Sequence, residues 1–233
     1  LLCGVGSPSG KLSDTFAKKL EDYPSSETFH ESVKYVDYKE DIYVGYRYFE
    51  TIPGADKAVN YPFGYGLSYT TFECALVSAE EKQGVIRVRV NVTNTGKYPG
   101  KEVMQLYAQA PQGVLGKAKR VLAAFEKTRL LAQGETQLLT LEAPVAQLAS
   151  YDDLGKIQKS AYVLEKGKYQ FYLGTSVRET EQVFCFTMPE DTVTEQLTAK
   201  LVTTSLAERM LSDGSFEKLP QSEPNDPDYS AIR

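Results

Sequence analysis

The sequence predicts a mainly β protein that is built around one β-sandwich. Residues 85–94 (V-I-R-V-R-V-N-V-T-N) alternate between apolar and polar side chains, which is typical of a half-buried antiparallel strand. The apolar face of this strand consists of Ile86, Val88, Val90 and Val92. Further short segments with strand character follow, separated by turns rich in glycine and proline, and no convincing helix lies among them. About seven strands at this spacing indicate a sandwich over residues 71–189.

The part of the chain before the sandwich contains one strong β pattern. Residues 42–49 (I-Y-V-G-Y-R-Y-F) carry aromatic bulk on both faces, which predicts a strand with neither face in open solvent. Arg47 lies among these rings. It could bind a substrate carboxylate, but stacking on a ring or pairing with Asp37, Glu40 or Asp41 is the more common arrangement.

An aromatic segment, residues 61–72 (Y-P-F-G-Y-G-L-S-Y-T-T-F), joins the two parts of the chain, and we call it the seam. Five of its twelve residues are aromatic, and glycines on both sides of Tyr65 favour a sharply bent backbone. A tight turn packed on a core is the simpler interpretation, and direct ligand contact is the alternative. We expect a structural interface formed by Tyr61, Phe63, Tyr65, Tyr69 and Phe72.

The remaining sandwich strands follow the seam at regular intervals. In the strand predicted at residues 102–109, Met104, Leu106 and Ala108 share one face, and Tyr107 lies on the other. We expect another part of the chain to cover the face of Tyr107. Five more strands are predicted, at residues 120–127, 136–142, 162–164, 168–173 and 182–187.

Residues 190–233 are predicted to form a connector. A short helix is expected at residues 205–211, with Ser205 as its N-cap, Glu208 in the capping-box position, and Gly214 beyond its end. From Pro220 onward the sequence has the composition of a linker.

Composition narrows the possible partners. The 233 residues carry a formal net charge of -5 and no dense run of lysine and arginine, which argues against nucleic acid as a partner. No apolar run approaches the roughly 20 residues that span a bilayer, so we expect no membrane partner. The chain begins without methionine or a signal peptide, and we expect it to be part of a longer protein.

The three cysteines, Cys3, Cys74 and Cys185, are far apart and not at metal-ligand spacing. We expect reduced thiols buried as small hydrophobic side chains, with no disulfide, no metal and no cofactor. Unpaired cysteines favour a cytoplasmic location.

No complete active site can be assembled from the sequence. Asp37, Glu40 and Asp41 are candidates for a carboxylate pair, but each is more simply a solvated or arginine-paired loop acid. His30 is the one histidine, and it lies in a polar stretch, so we expect no catalytic triad. We therefore assign no catalytic residue, and no substrate-binding residue can be named.

Several motifs, in this order, closely resemble the β-glucosidases of glycoside hydrolase family 3. Before the sandwich they are P-S-G-K-L-S-D-T-F (8–16), E-D-Y-P (21–24), Y-K-E-D-I-Y-V-G-Y-R-Y-F (38–49) and the seam. Within it they are V-R-V-N-V-T-N-T-G (88–96), E-V-M-Q-L-Y (102–107), L-A-A-F-E-K (122–127) and G-K-Y-Q-F-Y-L-G-T-S (167–176). Asp41 departs from the pattern, because the family usually has glycine there.

The resemblance implies a domain organisation. Residues 1–70 would be the end of the family's α/β sandwich domain, residues 71–189 its fibronectin type III-like domain, and residues 190–233 a connector. Residues 207–215 (A-E-R-M-L-S-D-G-S) resemble the connector of family members in which the domain order is reversed.

The resemblance also implies a non-catalytic role for this chain. The family's nucleophilic aspartate comes from a TIM-barrel domain and its acid/base glutamate from the body of the α/β domain, and neither aligns with this sequence. The intact enzyme would hydrolyse terminal β-D-glucosyl residues, with the remainder of the enzyme as partner and β-glucosides as substrates. β-Xylosidase and β-N-acetylglucosaminidase remain alternatives, as does an independent carbohydrate-binding or adhesion module. The sequence has no tryptophan for stacking on sugars.

Overall fold

The computed structural model describes residues 2–200 and 206–220, and it confirms the predicted mainly β fold. One short helix, α1, spans Tyr46–Phe49. The strands are β1 (Phe16–Ala17), β2 (Val59–Tyr61), β3 (Phe72–Lys82), β4 (Val85–Asn94), β5 (Val103–Gln109), β6 (Val121–Lys127), β7 (Thr136–Pro144), β8 (Ser150–Asp152), β9 (Ala161–Leu164), β10 (Gly167–Gly174), β11 (Thr180–Met188), β12 (Thr192–Gln196), β13 (Glu208–Met210) and β14 (Phe216–Lys218). Short 3-10 turns occur at Leu20–Asp22, Pro24–Ser26, Ala55–Ala58 and Val145–Leu148.

Two antiparallel sheets form the sandwich. The larger has the strand order β11-β10-β5-β6, and the smaller has the order β3-β4-β7. A third sheet, β12-β9-β8, adds a strand from beyond residue 189, because β12 pairs with β9. The six strands predicted after the seam at residues 85–94, 102–109, 120–127, 136–142, 168–173 and 182–187 correspond to β4, β5, β6, β7, β10 and β11, and residues 162–164 lie in β9.

The hydrophobic core lies between the two sheets of the sandwich. The smaller sheet contributes the predicted apolar face of β4, and the larger contributes Met104, Leu106 and Phe171, all of them buried. Burial of one large apolar side chain contributes roughly 1.5–3 kcal/mol, so this interleaved layer is the main source of the sandwich's stability.

The strand predicted at residues 42–49 is wrong, because these residues form a turn followed by α1. Gly45 precedes the helix with φ of 52° and ψ of -134°, a conformation that glycine adopts far more readily than other residues. Tyr43 and Phe49 are both buried. The aromatic side chains therefore pack on several sides of a turn, and they do not form the two faces of a strand.

The helix expected at residues 205–211 is also wrong where the structure describes the chain. Ser205, its predicted N-cap, lies outside the described residues, and Glu208–Met210 form β13, which pairs with β14. Gly214 has φ of +84° in the turn between these strands. The Asp213-Gly214 dipeptide is a strong hairpin signal, and it explains why the chain reverses here.

The cysteines are free, but Cys3, Cys74 and Cys185 are all exposed, contrary to the expected burial. Cys74 lies on β3, an edge strand whose residues are largely exposed. Its sulfur nevertheless contacts Met104 Sδ at 3.4 Å, and the loss of water around it raises the pKa of Cys74 to about 11. This thiol stays protonated near neutral pH.

Within residues 2–200 and 206–220, no helix is both long and apolar enough for a membrane span.

Candidate functional site

The seam packs on the outer face of β5, where the two parts of the chain share an aromatic cluster. The ring centroid of Phe63 lies 4.4 Å from that of Tyr46 and 6.5 Å from that of Tyr107. Tyr107 is 0% exposed although it faces away from the sandwich core, as expected for a face that another part of the chain covers. Burial, with a smaller contribution from Tyr46, raises the pKa of Tyr107, so its hydroxyl acts as a hydrogen-bond donor.

Gln105, beside this cluster, links the seam to the loop between β10 and β11. Its Nε2 donates to the carbonyl of Thr175 at 2.6 Å and to that of Gly64 at 3.4 Å. Its Oε1 accepts a hydrogen bond of 2.5 Å from the hydroxyl of Tyr107. Because Gln105 is buried, these bonds satisfy an amide that would otherwise destabilise the fold.

Gly64 allows the seam to approach Gln105 this closely. It has φ of +80°, and a Cβ added there would lie 2.3 Å from Gln105 Oε1. Any other residue would be strained in its backbone and would displace the buried amide. The seam therefore contacts the sandwich through its backbone as well as through its rings.

Backbone hydrogen bonds hold the seam from both sides. The amide of Leu12 donates to the carbonyl of Tyr65, and the amide of Gly64 donates to the carbonyl of Leu12, each at 2.8 Å. From the sandwich, the amide of Val177 donates to the carbonyl of Phe63 at 3.1 Å. Nearby, Arg178 Nε pairs with Glu50 Oε1 at 2.8 Å. Residues before the seam are thus attached to the sandwich by several independent contacts.

The five predicted interface residues lie in different surroundings. Phe63 and Tyr65 are half-buried, and Phe72 packs on the sandwich core. Tyr61 and Tyr69 are 44% and 47% exposed, and the ring of Tyr61 lies 5.3 Å from that of Tyr65. The structure therefore brings Phe63 and Phe72 onto the sandwich, whereas Tyr61 and Tyr69 face outward. The interface role of the set stays a prediction.

The candidate catalytic acids do not form an active site among the described residues. Glu40 is buried and Asp37 is half-buried, and neither forms a side-chain hydrogen bond or ion pair within the described chain. Asp41 Oδ2 lies 3.7 Å from Arg209 Nη1. His30 is exposed and contacts the ring of Phe29 at 4.7 Å. In residues 2–200 and 206–220 no three His, Cys, Asp or Glu side chains lie close enough together to hold a metal ion.

Asp41 has φ of +50°, in the left-handed region that favours glycine. The family that the sequence resembles usually has glycine at this position, so the conformation accounts for that preference. Burial is the main cause that raises the pKa of Asp41, and Arg209 partly opposes it. Arg47, the nearby candidate for carboxylate binding, makes no side-chain ion pair with any described residue.

A cavity of about 950 Å³ lies between this loop, the sandwich and the β13–β14 hairpin. The first part of the chain lines it with Asp41 and Arg47, and the hairpin lines it with Arg209. On the sandwich side, the exposed rings of Tyr151 and Tyr162 lie 5.4 Å apart. The cavity therefore combines charged groups with aromatic surface.

The loop between β5 and β6 forms another wall of this cavity, and a buried ion pair fixes its shape. Lys117 Nζ contacts Glu165 Oε2, with both side chains almost fully buried. The other carboxylate oxygen of Glu165 accepts a 2.7 Å hydrogen bond from the amide of Val114. Gln112 adds two bonds to the backbone of Lys117. The ion pair and these hydrogen bonds hold residues 112–117 of the loop in one conformation.

Sequence reasoning missed Gln105, Lys117 and Arg209. Gln105 occupies a strand face that was expected to be covered, and a polar residue there could have indicated a buried hydrogen-bond partner. Lys117 and Arg209 carry no local signal, because Glu165, which pairs with Lys117, and Asp41 and Asp153, which pair with Arg209, are distant in the sequence.

Comparisons with protein families, known sequences and solved structures identify relatives of this chain. Residues 102–177 match the model of the fibronectin type III-like domain. The chain is 56% identical, over 97% of its length, to β-glucosidase A of Butyrivibrio fibrisolvens, and 46% identical, over 95%, to a β-glucosidase of Ruminococcus albus. All of this chain superposes on the crystal structure of a β-glucosidase from Paenibacillus barengoltzii, with a TM-score of 0.88 and 45% identity. The chain covers 29%, 23% and 27% of these three proteins, so it spans less than a third of the length of each.

Proposed function

We propose that the chain is a non-catalytic part of a glycoside hydrolase family 3 β-glucosidase, because residues 102–177 match the fibronectin type III-like domain and the chain is similar in sequence and fold to part of known β-glucosidases. The intact enzyme would remove terminal β-D-glucosyl residues through a covalent glycosyl intermediate. The catalytic carboxylates would come from the remainder of the enzyme, a TIM-barrel domain and the body of the α/β domain. No cofactor is needed for this chemistry.

Within that enzyme, residues 71–189 would buttress the α/β domain and help to shape the rim of the active site. Residues 1–70 would be the end of the α/β domain, and residues 190–233 the connector. The observation that carries this proposal is the packing of the seam on β5, with Phe63 against Tyr107 and Gly64 against Gln105. Because the seam is attached to the sandwich in this way, the sandwich would hold the end of the α/β domain in position.

The test is hydrolysis of p-nitrophenyl β-D-glucoside by the purified 233-residue chain, with the same chain joined to the enzyme's other domains as the positive control. We expect turnover only when the other domains are present. Turnover by the chain alone that is lost on replacing Asp37, Glu40 or Asp41 would contradict the proposal. The same assay with xyloside and N-acetylglucosaminide substrates separates β-glucosidase from the two alternative activities.

A second candidate function is carbohydrate binding by the sandwich itself. The observation in its favour is the exposed pair of Tyr151 and Tyr162, because aromatic rings provide stacking surfaces for sugars. Titration of the chain with a β-linked glucose oligosaccharide tests it. Binding that is lost in Tyr151→Ala, and kept in the exposed control Tyr98→Ala, would favour this function over the first.

A further inference from the structure

The β13–β14 hairpin is too small to be stable by itself. Each strand has three residues, and the two strands form a sheet of their own. An isolated two-stranded hairpin is marginally stable at best in water, so its order depends on what it contacts. Its turn is well formed, because the amide and hydroxyl of Ser215 both donate to Asp213 Oδ1, at 2.9 and 2.6 Å.

One side of the hairpin contacts the loop of residues 39–43. The amide of Met210 donates to the carbonyl of Lys39 at 2.7 Å, which continues the hairpin's hydrogen bonding onto the loop. Burial raises the pKa of Tyr43, and the nearby side chain of Ser212 in the hairpin partly opposes this rise. Lys39 Nζ lies 3.7 Å from Glu208 Oε1. These contacts attach the hairpin to the part of the chain that precedes the seam.

The other side contacts the sandwich at the loop that follows β8. Arg209 Nη1 lies 2.9 Å from Asp153 Oδ2, and Lys156 Nζ lies 2.9 Å from Glu217 Oε2. Asp152 fixes this loop, since its carboxylate accepts four backbone hydrogen bonds, from residues 155–158. Burial alone would raise the pKa of Asp152, but these bonds outweigh burial and lower it.

Arg209 lies where the three segments meet. Its Nε is 2.8 Å from Glu217 Oε1 in its own hairpin, and its Nη1 contacts Asp153 of the sandwich and, at 3.7 Å, Asp41 of the loop. Its side chain is 15% exposed. Burial would lower the pKa of Arg209, but Glu217, Asp153 and Asp41 raise it. The guanidinium is therefore the charge that allows three carboxylates to approach one another.

We propose that the hairpin, residues 206–220, is a strap that fixes the 39–43 loop to the sandwich, with Arg209 as the residue that closes it. The strap then holds the first part of the chain at a place separate from the seam and the contacts beside it. This inference rests on contacts within the chain and does not depend on the proposed enzymatic activity. Removal of Arg209 leaves Asp41, Asp153 and Glu217 facing one another, and among the described residues only Lys156 still forms an ion pair with any of them. Their repulsion then opens the strap.

Hydrogen exchange of the full 233-residue chain tests the proposal with Arg209→Met. We expect the amides of residues 208–218, and the Met210 amide in particular, to exchange at least tenfold faster, and residues 39–43 to lose protection with them. The amides of β4 and β5 should be unchanged. Arg87→Met is the matched control, because Arg87 forms an exposed ion pair with Glu142, at 2.7 Å, and it should leave the hairpin unaffected.

Unchanged exchange in the hairpin and in residues 39–43 of Arg209→Met would overturn the proposal. If that variant fails to fold, Arg209→Lys decides, because lysine keeps the charge but lacks the forked guanidinium that contacts several carboxylates. In Arg209→Lys we expect a smaller, roughly threefold, acceleration confined to the strap and the loop. Acceleration that is equal throughout the sandwich would show that Arg209 supports the whole fold and would reject the strap.

Discussion

Replacement of Gly64 by alanine tests whether the seam is bound to the sandwich as the structure indicates. An alanine at φ of +80° costs roughly 1–2 kcal/mol in backbone strain. Its Cβ would also displace Gln105, and a buried amide without partners costs about 1–3 kcal/mol more. The sum, about 2–5 kcal/mol, is a large part of the stability of an ordinary domain. Urea unfolding followed by far-ultraviolet circular dichroism measures it.

Gly84→Ala is the matched control for this experiment. Gly84 has φ of +75° in the turn between β3 and β4, and a Cβ there would meet no atom within 4 Å. It therefore reports the backbone strain alone, about 1–2 kcal/mol. An equal loss of stability in both variants would show that Gly64 does not touch Gln105, and it would refute the interface on which the buttress depends.

Two further predictions concern the seam and the neighbouring loop. The double variant Phe63→Ala and Tyr65→Ala should lower the melting temperature by several degrees, because burial of one large aromatic side chain contributes about 2–3 kcal/mol. Replacement of the exposed Phe125 by alanine is the control and should change the melting temperature little. An unaltered melting temperature in the double variant would mean that the seam is not packed on the sandwich. Asp41→Asn tests the raised pKa of Asp41. The free energy of unfolding of the wild type should fall relative to that of the variant as the pH rises from about 3.5 through the folded-state pKa toward neutrality. The reason is that the pKa of this carboxyl is lower in the unfolded chain, near 3.9, than in the folded protein. A difference between these two proteins that does not change with pH, or changes in the opposite direction, would contradict the desolvation of this carboxylate.

The sandwich could be predicted from the sequence because the pattern of side chains along each strand reflects which of them are buried. In β4 the side chains alternate with period two between core and exterior, and the predicted bounds match the observed strand, Val85–Asn94. The segment around Gly45 misled the same reasoning. Aromatic residues are common in strands, but here they pack in several directions around a tight turn, which composition does not distinguish from a strand buried on both faces.

The charge clusters could not be predicted, because they depend on tertiary approach. Arg209 is surrounded by carboxylates from three separate segments, and no spacing in the sequence indicates that they meet. The hairpin that carries Arg209 was within reach of local reasoning. Asp213-Gly214 is a hairpin signal, whereas the capping-box interpretation rested on Ser205 and Glu208 and gave a helix.

The buried pair of Lys117 and Glu165 limits how this sequence can change over evolutionary time. Loss of one partner leaves the other charged group buried without compensation, which costs about 3–5 kcal/mol, whereas replacement of both by apolar residues of similar volume is often neutral. The two positions are therefore separated from an apolar pair by intermediates that would fold poorly. The same constraint applies to Gly113, because a Cβ there would lie 2.0 Å from Glu165 Oε1. We expect these three positions to change together or not at all among descendants of this sequence.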